Sequence, residues 1–454
     1  MIYSIIKKSQ IESVKRLDAE YFQPEYLEVE KKLNTIKTES LENLAESILS
    51  FGAYSLTSNI EWQKEGIPYV NVGDIHGGYI DYSEMKYISE KVDKILQKSQ
   101  LREKDIVLTM AGTIGNVAVV HNIQNDHING NQAIAKIKPK KNVSPYYLVA
   151  FLNSRYGQLQ ILREVVSSVQ ANIFLGPIKK FKIPIFNEND TKKVESLYLS
   201  FLNELEKSKS LYSQAENLLL EELELKNYQS KNELWNVINL SKTKKVDRID
   251  AEYFQPKYKI LESKIFKHGH KLLEDVLENI LAKFDPSKQS DKLFKYVELS
   301  NINSLIGTIE GYSEVLGKEA PSRAKRVLKK NDVIVSSVEG SLEKVALVNK
   351  EQEGYLASTG FFQFRSKEIL PEVLLVLAKS IVFSWQLEKR CAGTILTAVP
   401  KESIKDVIIP ILPKSIQQKI AELVQKSHET RKKAKALLEE AKHKVEELIE
   451  NNQN

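Results

Sequence analysis

The sequence predicts an α+β protein: two tandem strand-rich globular domains separated by two long helices that form an antiparallel coiled coil, a pseudo-two-fold internal repeat. Three observations predict it. A string near the N-terminus returns in the middle of the chain, strand-like runs follow each copy in the same order, and each copy runs into a long charged stretch carrying a heptad stripe.

The repeat is read first. Arg16–Tyr26 is RLDAEYFQPEY and Arg248–Tyr258 is RIDAEYFQPKY, identical at nine of eleven positions after a shift of 232. Downstream, IPYVNVGDI (Ile67–Ile75) matches FKYVELSNI (Phe294–Ile302). LREKDIVLTMAGTIGNVAVV (Leu101–Val120) matches LKKNDVIVSSVEGSLEKVALV (Leu328–Val348), and IKKFKIPIF (Ile178–Phe186) matches IKDVIIPIL (Ile404–Leu412), the shift settling at 226. The repeat thus takes in essentially the whole chain. It divides into a motif segment at 1–34, a globular domain at 35–187, a helix at 188–231, the motif segment and a linker again at 232–267, a second globular domain at 268–413 and a second helix at 414–454.

Within the first domain, Tyr69–Val72, Asp105–Thr109, Val117–Val120 and Ala133–Ile137 are β-rich runs bounded by Gly, Asn or Pro, as strands are. One helix is expected over Pro145–Val165 and its counterpart over Pro371–Arg390. In the C-terminal stretch Ile416, Ile420, Leu423, Ala434, Leu437, Ala441, Val445 and Leu448 follow three- and four-residue steps, interrupted at Ser427 and Thr430. In the first, Val194, Leu197, Phe201, Ser208, Tyr212, Ala215 and Leu219 do the same, and the two stripes superpose at the shift of 226. A stripe rich in small residues and flanked by Lys and Glu suits two closely packed helices. Each helix docking separately on its own domain is the competing reading. Pairing about a local two-fold axis makes the helices antiparallel and puts the domains at opposite ends of a rod. About 40 residues at a rise of about 1.5 Å make that rod roughly 60 Å long.

Composition narrows the class. The 454 residues are 42% hydrophobic and 28% charged, with a formal net charge of +6, a balance of packed soluble domains that is compatible with a polyanionic partner without requiring one. Cys391 is the single cysteine and no Cys/His cluster has zinc spacing, so a reducing compartment is expected. Met1–Ile6 is far short of a leader core and no apolar run approaches about 18 residues, which predicts a cytoplasmic chain without a membrane span. The sequence has no G-x-x-x-x-G-K-[ST], no G-x-G-x-x-G after a strand, no H-E-x-x-H, no G-x-S-x-G and no Asn/Asp-Pro-Pro-Tyr/Phe. Glu224 and Lys226 read as solvated helix surface, His268 and His270 as linker residues, and His428 and His443 as residues on a helix face. No catalytic residue, metal or cofactor is expected.

In their order and duplication, GIPYVNVGDI (Gly66–Ile75), LREKDIVLTMAGTIGNVAVV, NGNQAIAKIKP (Asn129–Pro139), ASTGFFQFR (Ala357–Arg365) and IPIL-P-x-x-x-Q-x-x-I (Ile409–Ile420) resemble the specificity (S) subunit of Type I restriction-modification systems. The resemblance implies a non-catalytic subunit whose globular parts are target recognition domains and whose helices are an antiparallel spacer. The implied partners are double-stranded DNA with a bipartite target, two modification (methyltransferase) subunits that bring S-adenosylmethionine-dependent adenine methylation, and restriction/motor subunits. The change from YVNVGDI to YVELSNI suggests two different half-sites.

Polar loop residues are the expected base readers, with Lys and Arg on phosphates. The candidates are Tyr54, Ser55, Thr57, Asn59, Thr113, Asn116, Asn131, Gln132, Gln170 and Asn172 in the first domain. In the second they are Ser287, Lys288, Gln289, Ser337, Ser341, Lys344, Thr359 and Thr394. Gly112, Gly115 and Gly340 are expected to serve turns. The DAEYFQP segments, identical while the loops differ, are expected to dock the modification subunits together with the helices. Two other functions stay open: a specificity chain for a methyltransferase outside a Type I complex, and an adaptor whose paired domains bind proteins. Steeply salt-dependent duplex binding separates DNA reading from the adaptor.

Overall fold

The structure, a computed structural model, describes residues 4–50, 60–83, 85–166, 171–226, 228, 235–392 and 397–452. Copy one contributes helix α1 (Pro24–Leu33), strands β1 (Ala45–Leu49), β2 (Ile67–Val70), β3 (Ile106–Thr109), β4 (Val117–Val119) and β5 (Ile134–Pro139), then α2 (Pro145–Asn153), α3 (Arg155–Arg163) and the long α4 (Glu188–Glu222). Copy two follows in the same order with α5 (Pro256–Ile265), β6 (Leu277–Asn279), β7 (Leu293–Val297), β8 (Val333–Ser336), β9 (Val345–Leu347), β10 (Phe361–Ser366), α6 (Pro371–Lys379), α7 (Ile381–Arg390) and the long α8 (Lys414–Asn451).

The chain forms two compact units, residues 1–204 with 432–454 and residues 205–431. In the first, an antiparallel four-stranded sheet runs β1-β5-β3-β4, with Ile134 opposite Thr109 and Ile106 opposite Val119. β2 lies between Lys86–Ile88 and, in parallel, Asn129–Gly130. The second unit repeats the first sheet as β6-β10-β8-β9, with Val333 opposite both Leu347 and Phe364. There β7 pairs in parallel with Leu356–Ser358. Val107 and Ile134 of one sheet, and Val335 and Phe362 of the other, are fully buried or nearly so, which is why these runs carry few polar side chains.

Each single helix expected after the strands is two. The chain breaks at Ser154, whose hydroxyl accepts from Gly157 N, and at Ser380, whose hydroxyl accepts from Val382 N. Both serines have extended backbone angles and start the next helix as N-caps. α2 and α3 also meet too closely for a side chain at Gly157: a Cβ there would lie 2.3 Å from the Phe151 carbonyl oxygen.

The long helices run antiparallel. In the first unit Glu204 pairs with Lys433 at 2.6 Å, while Asp190 near the start of α4 lies in the field of Lys444. In the second, Ser208 and Ser427 face each other: each hydroxyl donates to the other's backbone carbonyl at 2.8 Å. The buried stripe is more regular than the sequence reading. On α4 it is Val194, Tyr198, Phe201, Leu205, Ser208, Tyr212, Ala215 and Leu219; on α8 it is Ile420, Val424, Ser427, Arg431, Ala434, Leu438, Ala441 and Val445. These are the same eight positions at the shift of 226. Ser427 therefore continues the seam, and Leu197, Leu423, Leu437 and Leu448 flank it, half-buried. The charged Arg431 occupies a stripe position because Glu310 receives it with two hydrogen bonds of 2.9 and 3.0 Å. No helix among the described residues is long and apolar enough to cross a membrane.

Candidate nucleic-acid interface

In the first unit three turns are stitched together at one end of the β3–β5 pair. Met110 N donates to Ala133 O at 2.7 Å, Ile173 N to Met110 O at 2.9 Å, and Asn131 N to Val70 O at 2.9 Å; Ala111 is bridged to Asn172. Thr113 is exposed at the tip of the first turn, beside Gly112, whose φ of +73° an L side chain rarely adopts. Gln132 and Asn172 are half-buried next to it. Asn116 and Asn131 work inward. Asn116 Nδ2 donates to Ile75 O at 2.7 Å, and Asn131 Oδ1 accepts from Ala133 N at 2.8 Å.

The second unit repeats the cluster with other side chains. Ser337 donates to Gly360 O through both N and Oγ at 2.9 Å, Val399 N donates to Ser337 O at 2.8 Å, and Val338 is bridged to Ala398. Thr359 lies half-buried in the adjoining turn, its N donating to Arg323 O at 2.8 Å. Ser341 Oγ donates to Val338 O at 3.1 Å. Lys344 Nζ reaches Ile302 O at 3.5 Å. Ile302 is the counterpart of Ile75, so Lys344 does for one copy what Asn116 does for the other. A separate turn, Pro286–Gln289, presents Ser287, Lys288 and Gln289 to solvent; Asp285 closes it by accepting from Ser287 N and Oγ at 3.2 and 2.7 Å. Tyr54, Ser55, Thr57, Asn59, Gln170 and Thr394 lie outside the described residues.

Part of the YVNVGDI/YVELSNI difference is internal to its turn, while Glu298 and the Gly73/Ser300 pair are exposed. Asp74 accepts from Asn71 N at 2.7 Å, and Asn301 accepts from Glu298 N at 2.9 Å. Acid and amide exchange places and the same capping box closes the same turn. This exchange therefore says nothing about half-site identity.

Part of the duplicated motif is built inward. Arg16 grips Asp18 with two hydrogen bonds of 2.9 and 2.6 Å, and Arg248 grips Asp250 at 2.8 and 2.6 Å. These bonds hold both carboxyls below the usual carboxylate range. Each guanidinium lies over the following tyrosine, 4.5 Å from the Tyr21 ring and 4.7 Å from Tyr253. From the second helix of each pair Arg163 also covers Tyr21 and binds Glu30 at 2.9 Å; its counterpart Lys389 covers Tyr253 and binds Glu262 at 2.8 Å. Outward-facing positions include the residue between Arg and Asp, Leu17 at 83% exposure and Ile249 at 89%, and the identical Ala19/Ala251 and Glu20/Glu252. The flanking apolar pairs Ile5/Val237 and Val14/Val246, equivalent at the shift of 232, are exposed as well. Neither the inward clamp nor this outward set was separable by letter matching, because both lie in one short string.

Burial pushes the Cys391 thiol up to about 11, and the half-buried His428 ring lies 2.8 Å from the Ile306 carbonyl oxygen.

Comparison with known proteins matches these two copies. A specificity subunit of the Type I restriction enzyme EcoBI from Escherichia coli is 26% identical over 149 residues, 32% of this chain and 31% of that one, so the alignment spans about a third of the relative. Among solved structures, the Type I restriction-modification S subunit from M. genitalium aligns over 90% of this chain and 95% of its own, with 15% identity and a TM-score of 0.41. The HsdS subunit from Thermoanaerobacter tengcongensis aligns over 92% and 97%, with 12% identity and a TM-score of 0.30. The model of the Type I restriction modification DNA specificity domain matches residues 35–211 and again 232–443, and the chain belongs to that family.

Proposed function

We propose that this chain is the non-catalytic, cytoplasmic DNA-reading subunit of a Type I restriction-modification complex, each globular domain reading one half of a bipartite, asymmetric duplex target. One observation carries the reading: two equivalent loop clusters stand on the same strand frame while the polar side chains at their surfaces differ. A duplicated frame with divergent loops fits two different half-sites read in one manner. Thr113, Gln132 and Asn172, with Tyr54, Ser55, Thr57, Asn59 and Gln170, serve the first half. Ser287, Lys288, Gln289, Thr359 and Thr394 serve the second. Asn116, Asn131, Ser337, Ser341 and Lys344 hold the turns in shape. The test is to map methylated adenines in the host genome with this chain present or deleted. One split motif with an adenine in each half, lost on deletion, supports the reading. Purified complex should also bind that duplex with a steep salt dependence; salt-insensitive binding to a protein alone would favour an adaptor.

The partners in this reading are two modification subunits and, through the complex, restriction and motor subunits. One modification subunit docks at each motif segment and its helix. The exposed Leu17 and Ile249 sets offer the same apolar chemistry twice, as two copies of one partner require. The Arg–Asp–Tyr clamps behind them keep each segment seated on its own domain.

A further inference from the structure

Besides the Asp285 cap, the second unit holds its Pro286–Gln289 turn by a close backbone crossing that leaves no room for a side chain. Gly317 passes directly beneath the turn. A Cβ built on Gly317 would lie 2.2 Å from Gln289 O and 2.4 Å from Pro286 O, both backbone atoms that no rotamer change can move. The backbones are tied at this crossing, Gly317 N donating to Lys292 O at 2.9 Å and Lys318 N to Ser290 O at 3.1 Å. The other side of the segment is anchored too. Phe284 meets Phe294 edge-to-face at 5.7 Å and donates its N to Lys325 O at 3.1 Å, while the buried Arg326 guanidinium holds the Ile280 carbonyl at the segment's foot. Pro286 is buried, and Ser287, Lys288 and Gln289 are exposed. Three polar side chains thus stand on a turn fixed from both sides.

We infer that Gly317 is a positioning residue for DNA reading by the second domain: the absence of its side chain sets the height and tilt at which Ser287, Lys288 and Gln289 meet the duplex. The inference rests on the function proposed above. Contacts to base edges are directional, so a displaced turn loses discrimination between bases while its lysine still finds a phosphate. Gly317→Ala therefore weakens specificity more than affinity.

The test uses the full chain assembled with its methyltransferase subunits and the target fixed by methylation mapping. Competition binding gives, for each half-site, the ratio of Kd for base-substituted over cognate duplex. Gly317→Ala is expected to lower this ratio about tenfold in one half and leave the other half unchanged. Ratios unchanged in both halves, or falling together, overturn the inference. A triple variant, Ser287→Ala with Lys288→Ala and Gln289→Ala, separates the two levels of the argument. If it spares discrimination in both halves, the turn does not read DNA and the functional assignment of these residues fails. If it removes discrimination in one half and Gly317→Ala does not, the turn reads DNA and Gly317 does not position it. Should Gly317→Ala fail to fold on a sizing column, Phe284→Leu loosens the same segment without a backbone clash and is judged by the same two ratios.

Discussion

Replacing Leu17 by Asp should cost the assembled complex one modification subunit and leave the chain itself intact. Leu17 is exposed, so the substitution changes the chain's own stability by no more than about 0.5 kcal/mol. If the side chain is buried on docking, its contribution is about 1.5–3 kcal/mol. Losing it raises Kd roughly ten- to a hundredfold, since 1.4 kcal/mol is about one decade. A carboxylate set against an apolar partner surface adds an unpaired-charge penalty on top. Ile249→Asp should do the same at the other site. In mass photometry of chain and modification subunit titrated together, the parent reaches two copies, each single variant stops at one over the same range, and the double variant stays alone. A double variant that still takes two copies at parental affinity refutes the docking argument. So does a single variant that loses both copies at once, because the two sites are argued to be separate.

Three further outcomes follow from the packing. Ser427→Ala removes a buried donation to the Ser208 carbonyl and should lower stability by about 1 kcal/mol, read from the urea midpoint of the unit that contains both residues. Gly157→Ala forces a Cβ against the backbone of Phe151 and Leu152 and should cost about 1–3 kcal/mol, seen as a lower Tm of the first unit's transition with the second unchanged. Burial lowers the pKa of His428, against the pull of Glu372 and Glu310, so the fold keeps it neutral. Above about pH 6.5 it is neutral folded and unfolded and adds no pH dependence. As pH falls below that value the unfolded chain takes a proton that the fold refuses, and stability is lost until the lower folded pKa is reached. His428→Gln should therefore flatten the fall in stability as pH drops below about 6.5, and an unchanged slope would show that other groups set it.

The duplication, the strand-rich runs and the antiparallel helices were legible because each depends on a pattern: identity at a fixed shift, β-rich composition, heptad spacing. The seam was legible only to within one residue. Leu423 and Val424, or Leu437 and Leu438, are neighbours of equal apolarity, and hydropathy does not choose between them; the chain chooses by which one faces the partner helix. Arg431 was invisible as a seam residue because its acceptability depends on Glu310, which is 121 residues away in sequence. Ser154 and Ser380 were read as helix interior, though serine after an apolar turn is also a cap.

At the duplicated motif the sequence was legible only in part. Identity between the copies suggests a shared role for the segment without saying which of its side chains face outward. Of its identical letters, Arg, Asp and Tyr make an inward clamp held by hydrogen bonds of 2.6–2.9 Å and a cation over a ring, while Ala19 and Glu20, with their counterparts Ala251 and Glu252, are exposed. The exposed position between Arg and Asp changes from Leu17 to Ile249 and stays apolar. Directional polar contacts demand the same residue, whereas non-directional burial demands only the same class. Within this duplicated segment strict identity covers both the internal brace and the exposed Ala19 and Glu20, so the direction each side chain takes, which letter matching does not carry, separates brace from surface.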